Sequence, residues 1–468
     1  MKRLCDLIPN APDILVNDIK INSKEVKQND IFVCVTGVTA DRNLYIDEAI
    51  NNGAICVVTS KKVDISCFLV IVDNPDEHLF TLCQKLYDYD SSLTLIATTG
   101  TNGKTTVASL ISSMISNDVC GYLGTNGMEC SKFHYDIKNT TPSIDRLFKY
   151  FKMFKDASIK YVSMEASSEA FLRKRLKGIS FDIGILTDIT SDHLNAHGSL
   201  KNYISCKKEL FKNIKDNGYA ILNADSKYYD EFRKCSKGTI LTYGKKKSDL
   251  QIIDYKLYLD YTFIKLKYKN KIYEIKSPLL GEFNIYNLCS AILTLVALNY
   301  EFSDIMSRIK NIILPKGRVE LIDYGQKYKI ILDYAHNTDA LEKLYSFLKS
   351  VGDYRIISVT GSAGGRDIDK RKYMGKVVLD NSFYTIFTMD DPRYEDVDKI
   401  IDDLVSISDK TNYERIIDRK TAIKRAFDIA LENDIVLILG KGHANYMAIK
   451  DEYLPYNDFD VIRDYFNK

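Results

Sequence analysis

The chain has 468 residues, 45% of them hydrophobic, which is more than one hydrophobic core holds and points to about two to four domains. A formal net charge of +2 gives no electrostatic reason for nucleic acid or an anionic membrane surface as partner, and small-molecule substrates suit that balance better. The opening "MKRLCDLIPNAPDILV" lacks an uninterrupted apolar core, no stretch reaches the about 18 apolar residues of a membrane span, and ten cysteines are scattered singly without a CxxC pair. The expectation is a cytoplasmic protein, a monomer without membrane insertion, with reduced thiols and neither a disulfide nor a zinc site.

In chain order, apolar runs of strand length alternate with amphipathic segments of helix length. The runs are "IFVCV" (31–35), "AICVV" (54–58), "FLVIV" (68–72), "LTLIAT" (93–98), "KYVSME" (160–165), "FDIGILT" (181–187), "YKIILDYA" (328–335), "RIISVTG" (355–361), "YTIFTMD" (384–390) and "IVLILGKG" (435–442). This alternation predicts the α/β class, parallel sheets with helices on both faces. Composition and punctuation by Pro315 and Gly317 divide the chain into units at 1–88, 89–316 and 317–468. Between 245 and 275 apolar and polar residues alternate singly, which predicts a small accessory antiparallel sheet within the second unit.

The strand "LTLIAT" runs directly into "TGTNGKTT" and then into the helical "VASLISSMIS". That is the context of a phosphate-binding loop, in which backbone N–H groups and a helix N-terminus hold phosphates. Gly100, Thr101, Asn102, Gly103, Lys104, Thr105 and Thr106 form it, with Lys104 reaching the terminal phosphates and the Thr105 hydroxyl offered to Mg²⁺. Thr98 stands where such loops usually begin with glycine. This variety of loop resembles that of the Mur ligase superfamily, and further motifs follow in that family's order: "NTTP" (139–142), "MEASSEAF" (164–171), "TDITSDHLNAHGSLKNYISCKKELF" (187–211), "GEFNIYN" (281–287), "GRVE" (317–320), "DYAHNTDAL" (333–341), "GGRDIDKR" (364–371), "DDPR" (390–393) and "GKGH" (440–443). The resemblance covers nearly the whole chain and is strongest to the MurE-type branch, which adds the third residue of the peptidoglycan stem peptide.

The resemblance implies a three-domain architecture: an N-terminal UDP-binding domain, a central P-loop ATPase domain and a Rossmann-like C-terminal domain that binds the amino acid. It implies ATP and Mg²⁺ as cofactors and an ATP-dependent ligation in which a carboxylate takes the γ-phosphoryl group and an amine displaces phosphate. Such chemistry needs held phosphates, neutralised charge and a positioned amine. Lys104, Glu165, His193 and Lys207 are the catalytic set it implies. Glu165 and His193 follow strand ends, where parallel sheets present ligand-binding groups, and with Thr105 they match magnesium ligands. Lys207 matches a lysine that CO₂ carbamylates into an anionic metal ligand; from the residues alone, Lys207 and Lys208 read as two surface lysines on a helix. Asn284 and Asn287 match adenine-binding positions, with helix capping as the alternative. Arg318, Asp333 and His336 match residues that approach the nucleotide when the third domain closes; stabilising a strand-to-helix loop is the alternative for the last two.

For substrates, Ile21, Ser23, Val38, Thr39 and Ala40 match the uridine-binding segment. Asn139, Thr140, Thr141, Ser167, Arg173 and Arg175 match positions that hold the UDP-sugar peptide, although Arg173 and Glu169 depart from the usual Gln and His. The amino-acid pocket is implied at Arg366, Asp390, Asp391, Pro392, Arg393, Gly440 and Ala444. Arg393 favours an amino acid with a distal carboxylate, meso-diaminopimelate. Ala444 in place of the family's Glu, and Asp391 in place of Asn, admit the bare ammonium of L-lysine or L-ornithine instead. Two other classes stand beside this reading. A folylpolyglutamate synthase-like amide ligase should lack the UDP segment, NTTP and DDPR, and a non-catalytic nucleotide-binding paralogue should have lost Lys104, Glu165, His193 or Lys207.

Overall fold

Three sheets organise the chain in a computed structural model that describes residues 2–36, 41–190 and 194–467. Val38, Thr39, Ala40 and His193 lie outside the described residues. The first sheet pairs Ile19–Lys20, Asp30–Val33, Ala54–Thr59 and Phe68–Ile71 in chain order, all parallel. The last has six strands in the spatial order Glu320–Ile322, Lys329–Asp333, Ile435–Leu439, Ile356–Thr360, Tyr384–Phe387 and Tyr413–Arg415, parallel except for the first pair. A separate hairpin, Tyr446–Ile449 and Glu452–Pro455, follows it.

The central sheet has eleven strands. Its parallel middle runs Thr239–Gly244, Ile214–Asn223, Phe181–Leu186, Thr94–Thr99, Tyr161–Glu165 and Cys120–Gly124. Ile96, Ala97, Val162, Met164 and Ile185 are buried, as strands covered by helices on both faces require. Thr98 sits beside both Glu165 and Ile185, so the ends of three strands open toward one place. Ligands bind at such a crevice beyond the carboxyl ends of parallel strands.

The alternating segment forms three antiparallel strands, Leu250–Leu257, Thr262–Tyr268 and Lys271–Ser277, as its periodicity predicts. They do not make a separate accessory sheet. Tyr243 pairs with Leu250 and Gly244 with Gln251, which extends the edge of the central sheet. The Asp249 carboxylate accepts the Thr242 N–H and hydroxyl and turns the chain back beside its own strand. Leu250, Ile252, Ile264, Leu266 and Ile275 then share one core with the helix Glu282–Ala297. The ten cysteines are all free thiols, and among the described residues no helix is long and apolar enough to cross a membrane.

Asp18 joins the first sheet to the central one. It is buried, and its carboxylate accepts hydrogen bonds from Lys20, from Tyr87 and from Lys149 of the helix Ile144–Asp156. Burial alone would raise its pKa, but the hydrogen bonds from Lys149, Lys20 and Tyr87 outweigh it and hold the group at about 2. A carboxyl depressed below its ordinary 3.8 contributes stability that is complete above that value and is lost as pH falls toward about 2. Asp18→Asn is therefore expected to lower stability at pH 7, with the deficit shrinking between about pH 4 and 2. Urea unfolding of both proteins across that window checks it; a deficit independent of pH would show that the carboxylate charge is not the source.

Candidate active site

The expected phosphate loop lies between the strand Thr94–Thr99 and the helix Lys104–Ile115. Gly103 is the N-cap, with φ +85°, and a Cβ there would lie 2.5 Å from Asn287 Oδ1. Both the left-handed backbone and the close approach of a second helix require glycine. Gly103→Ala is expected to cost about 1–3 kcal/mol and to weaken nucleotide binding, measured by thermal unfolding and calorimetry with ADP. The loop is braced by the segment after Phe181–Leu186: Thr101 N donates to Asp188 O (2.6 Å), Thr101 Oγ1 to Thr190 O (3.1 Å) and Thr187 Oγ1 to Asn102 O (2.6 Å).

Two lysines converge on one carbonyl of this loop. Lys104 Nζ donates to Gly100 O (3.0 Å) and Thr101 O (2.8 Å), and Lys207 Nζ donates to the same Gly100 O at 2.7 Å. Lys207 is only 1% exposed and sits 4.3 Å from the centre of the Tyr203 ring, so it is not a surface lysine. Lys208 is the one that faces outward, paired with Glu231.

Glu165 is buried beside the loop and accepts four hydrogen bonds. Tyr122 Oη and Thr125 N reach Oε1, both at 2.7 Å, while Thr105 Oγ1 (3.0 Å) and Thr125 Oγ1 (3.2 Å) reach Oε2. A carboxylate and a hydroxyl thus meet at the start of the loop helix. Among the described residues no three His, Cys, Asp or Glu side chains cluster as a metal cage. The pair Thr105 and Glu165 nevertheless fits a hard cation that takes its remaining ligands from water and phosphate oxygens, the habit of Mg²⁺.

The last sheet closes over the loop. Arg318 Nη2 donates to Thr105 Oγ1 (3.1 Å) while its guanidinium stacks 4.5 Å from the Tyr334 ring centre. Asn102 donates to Asp339 (2.9 Å) and accepts from Asn337 (3.1 Å), and Lys343 bridges Asp188 and Asp339. Between the two sheets lies a cavity of about 960 Å³, lined by Gly103, Thr106, Asp225, Asn284, Tyr286, Asn287, Arg318 and His336 among others. That volume suits a nucleotide-sized ligand. Asn284 Nδ2 donates to Leu280 O and Asn287 Nδ2 to Asn284 Oδ1, so these amides fix the start of their helix against Gly103 while still facing the cavity. Neither caps its helix, whose N-cap is Gly281. Asp333 also lines the cavity, and its two oxygens accept Val319 N and Ala335 N, both at 2.7 Å, which stabilises the loop carrying Arg318. Burial pushes its pKa up despite nearby Arg318. His336 Nδ1 lies 2.8 Å from Tyr334 O, with its ring at the cavity wall.

Thr140, Thr141, Ser167 and Arg175 gather around Glu165. Thr141 Oγ1 donates to Glu165 O (2.8 Å) and receives Ser167 N (3.0 Å), Thr140 Oγ1 meets Thr125 Oγ1 (3.0 Å), and Arg175 Nη1 donates to Thr141 O (2.9 Å). Burial, with Arg173 nearby, lowers the Arg175 pKa from its ordinary value. Asn139 is exposed, and Arg173 pairs with Glu169 at 3.3 Å one helical turn away, so the two departures from the family pattern satisfy each other. Ile21 and Ser23 belong to the first sheet's side, where the Ser23 hydroxyl is held by Glu48.

In the last sheet, Asp391 Oδ1 accepts Lys441 Nζ (2.7 Å) and Ala448 N (2.8 Å). Its charge is paired within the protein by Lys441. Asp390 is buried, its pKa raised by burial, and a Cβ on Gly440 would lie 2.2 Å from its Oδ2. Arg393 donates through Nη1 to Gly364 O at 3.2 Å, Pro392 is buried beneath it, Arg366 is exposed at the rim, and Ala444 N closes a turn on Lys441 O. Sequence reasoning missed Tyr122, Thr125, Asp188, Lys441 and His443. Lys441 and His443 stood inside the quoted GKGH motif, while Tyr122 and Thr125 become partners of Glu165 only through strand order.

The Mur ligase middle domain family matches residues 98–295, and the Mur ligase, glutamate ligase domain family matches residues 317–442. The UDP-N-acetylmuramoyl-L-alanyl-D-glutamate--2,6-diaminopimelate ligase of Fusobacterium nucleatum is 36% identical over 454 residues, 95% of this chain and 93% of its own. The second such ligase of Clostridium acetobutylicum is 35% identical over 471 residues, 98% of this chain and 97% of its own. A solved structure of a UDP-N-acetylmuramoyl-L-alanyl-D-glutamate--2,6-diaminopimelate ligase superposes with a TM-score of 0.69 at 27% identity, covering 100% of this chain and 99% of that one. The match runs through the phosphate loop, Glu165 and the sheet that closes over them, and the chain belongs to the Mur ligase family.

Proposed function

We propose that this chain is the ATP-dependent ligase that joins a diamino acid, meso-diaminopimelate, to UDP-N-acetylmuramoyl-L-alanyl-D-glutamate in peptidoglycan precursor synthesis. The observation that carries the reading is the meeting, around one buried carboxylate, of the phosphate loop, the NTTP cluster and the arginine from the closing sheet. Full-length relatives bearing that activity in their names support it. The three sheets support a division at 1–88, 89–316 and 317–468 into UDP-, ATP- and amino-acid-binding domains. The UDP-linked substrate supports a cytoplasmic site of action, and we take the chain to act as a monomer.

In this reading the loop amides and Lys104 hold the phosphates of ATP and draw charge from the γ-phosphoryl group as it transfers to the substrate carboxylate. Thr105 and Glu165, with His193, would hold Mg²⁺, which supplies charge neutralisation between triphosphate and carboxylate. Lys207, carbamylated, would add an anionic oxygen ligand beside Gly100. Thr140, Thr141, Ser167 and Arg175 present the peptide carboxylate, and Arg393 pairs with the far carboxylate of the incoming amino acid. The acyl phosphate and the neutral amine then give an amide and hydrogen phosphate. Arg318 and the closed sheet keep water from the acyl phosphate.

The test is phosphate release from ATP and Mg²⁺ by the purified protein with UDP-N-acetylmuramoyl-L-alanyl-D-glutamate, comparing meso-diaminopimelate, L-lysine and L-ornithine, with mass spectrometry of the product. Release that needs the UDP substrate and meso-diaminopimelate is expected. Turnover with L-lysine alone would sink the specificity, and none with any of them the function.

A further inference from the structure

Arg371 ends the motif GGRDIDKR and has no part in the site described above. It opens the helix Arg371–Asn381 yet is only 1% exposed. A cation in a first turn opposes the helix dipole and a buried one costs desolvation, so the stability of its own helix does not account for it. Its partners lie in other segments. Nη1 pairs with Glu395 Oε2 (2.7 Å) and Asp403 Oδ2 (2.9 Å), while Nη2 donates to Ala363 O (3.0 Å). The second oxygen of Glu395, Oε1, accepts the backbone N–H of Gly365.

Ala363 and Gly365 lead into Arg366, and Glu395 follows Arg393 and Tyr394. One guanidinium and one carboxylate therefore tie together the two loops that carry the arginines of the amino-acid pocket. The loops also meet directly: Gly364 N donates to Asp391 O (3.0 Å), Arg393 Nη1 donates to Gly364 O (3.2 Å), and a Cβ on Gly364 would lie 1.9 Å from Pro392 O. No larger residue fits there. Asp391 and Arg393 both have left-handed backbone, φ +47° and +54°, which residues other than glycine keep only where their surroundings impose it. The hairpin imposes part of it, with Arg393 N donating to Ala448 O (3.0 Å) and Lys450 N to Arg393 O (2.8 Å). Glu395, fixed by Arg371, holds the far end of the same segment.

We propose that Arg371, acting through Glu395, is a positioning residue for the amino-acid pocket: the pair sets Arg366 and Arg393 at the spacing at which their guanidinium groups receive the distal carboxylate of the incoming diamino acid. The inference rests on the ligase reading above. Arg371 itself touches neither substrate nor reacting atoms, so its effect falls on the hold of one substrate.

Asp403 supplies the control. It pairs with the same guanidinium and is 43% exposed, but among the described residues no hydrogen bond of its side chain joins it to either loop. Glu395→Ala is expected to raise KM for meso-diaminopimelate about tenfold, with KM for ATP and for the UDP substrate within about threefold of the wild type. Asp403→Ala should leave all three within about threefold. If the buried arginine served the fold alone, removing either carboxylate would act alike. A rise in KM for meso-diaminopimelate of about threefold or less in Glu395→Ala, or an equal rise in Asp403→Ala, overturns the proposal. Calorimetry reads the pocket without turnover. Meso-diaminopimelate titrated into protein holding the UDP substrate and an unreactive ATP analogue should bind Glu395→Ala about tenfold more weakly than the wild type, and equal affinity overturns the proposal. A wild type that binds meso-diaminopimelate but releases no phosphate counts against the ligase reading, and the calorimetry still decides on the pair. A wild type that binds none overturns the proposal, while turnover with L-lysine would then leave the ligase reading standing.

Discussion

Glu165→Gln is expected to lower kcat by about 10²- to 10³-fold while leaving the fold within about 1 kcal/mol of the wild type. The two halves of the carboxylate face different donors. Oε1 faces the Thr125 backbone N–H, which cannot reverse, together with Tyr122, and a glutamine carbonyl serves both. Oε2 faces only the hydroxyls of Thr105 and Thr125, and a hydroxyl can rotate to accept from the new amide. The substitution thus keeps the hydrogen bonds and removes the charge. Thermal unfolding together with phosphate release measures the two effects separately. A glutamine variant with near-wild-type turnover would leave Glu165 a structural residue that ties Thr125 to the loop.

Lys207→Met should lower turnover by about 10²-fold or more, again with little effect on stability. Methionine matches the length and shape of the buried side chain, and the ammonium it removes faces the Gly100 carbonyl at 2.7 Å and the Tyr203 ring. Buried charges are expensive to keep, so the fold loses little when this one goes. The sharper measurement is the response to CO₂. Wild-type activity should fall in CO₂-depleted buffer and recover on adding bicarbonate, whereas the residual activity of Lys207→Met should respond to neither. Wild-type turnover indifferent to CO₂ would leave Lys207 acting as a plain cation on the loop.

What the sequence made legible divides along how far apart the partners lie in the chain. Gly103, Lys104 and Thr105 were readable because a strand, a glycine turn and a helix fit in one short stretch. Glu165 was readable from its motif, but its ring of donors was not: Tyr122 and Thr125 reach it because the strand Cys120–Gly124 pairs with Tyr161–Glu165, an order that periodicity does not reveal. The period-two pattern of 245–275 gave the antiparallel strands correctly. It could not show their attachment to the central sheet, which rests on Asp249 turning the chain at Thr242. The pairing of Asp391 was hidden because its partner Lys441 lies 50 residues away. The hold of Asp333 on Val319 N was hidden for the same kind of reason, the two lying on opposite sides of a hairpin.

The cavity beside the phosphate loop has walls from two sheets, and neither sheet encloses it alone. A molecule filling such a space tightens the adherence of the two parts by the same factor by which their adherence tightens its hold. The nucleotide is in this sense mortar as well as fuel. The hydrogen bonds of Asn102 with Asp339 and Asn337 and the ion pair of Lys343 with Asp188 join the two walls, so loosening them is expected to loosen the hold on the nucleotide.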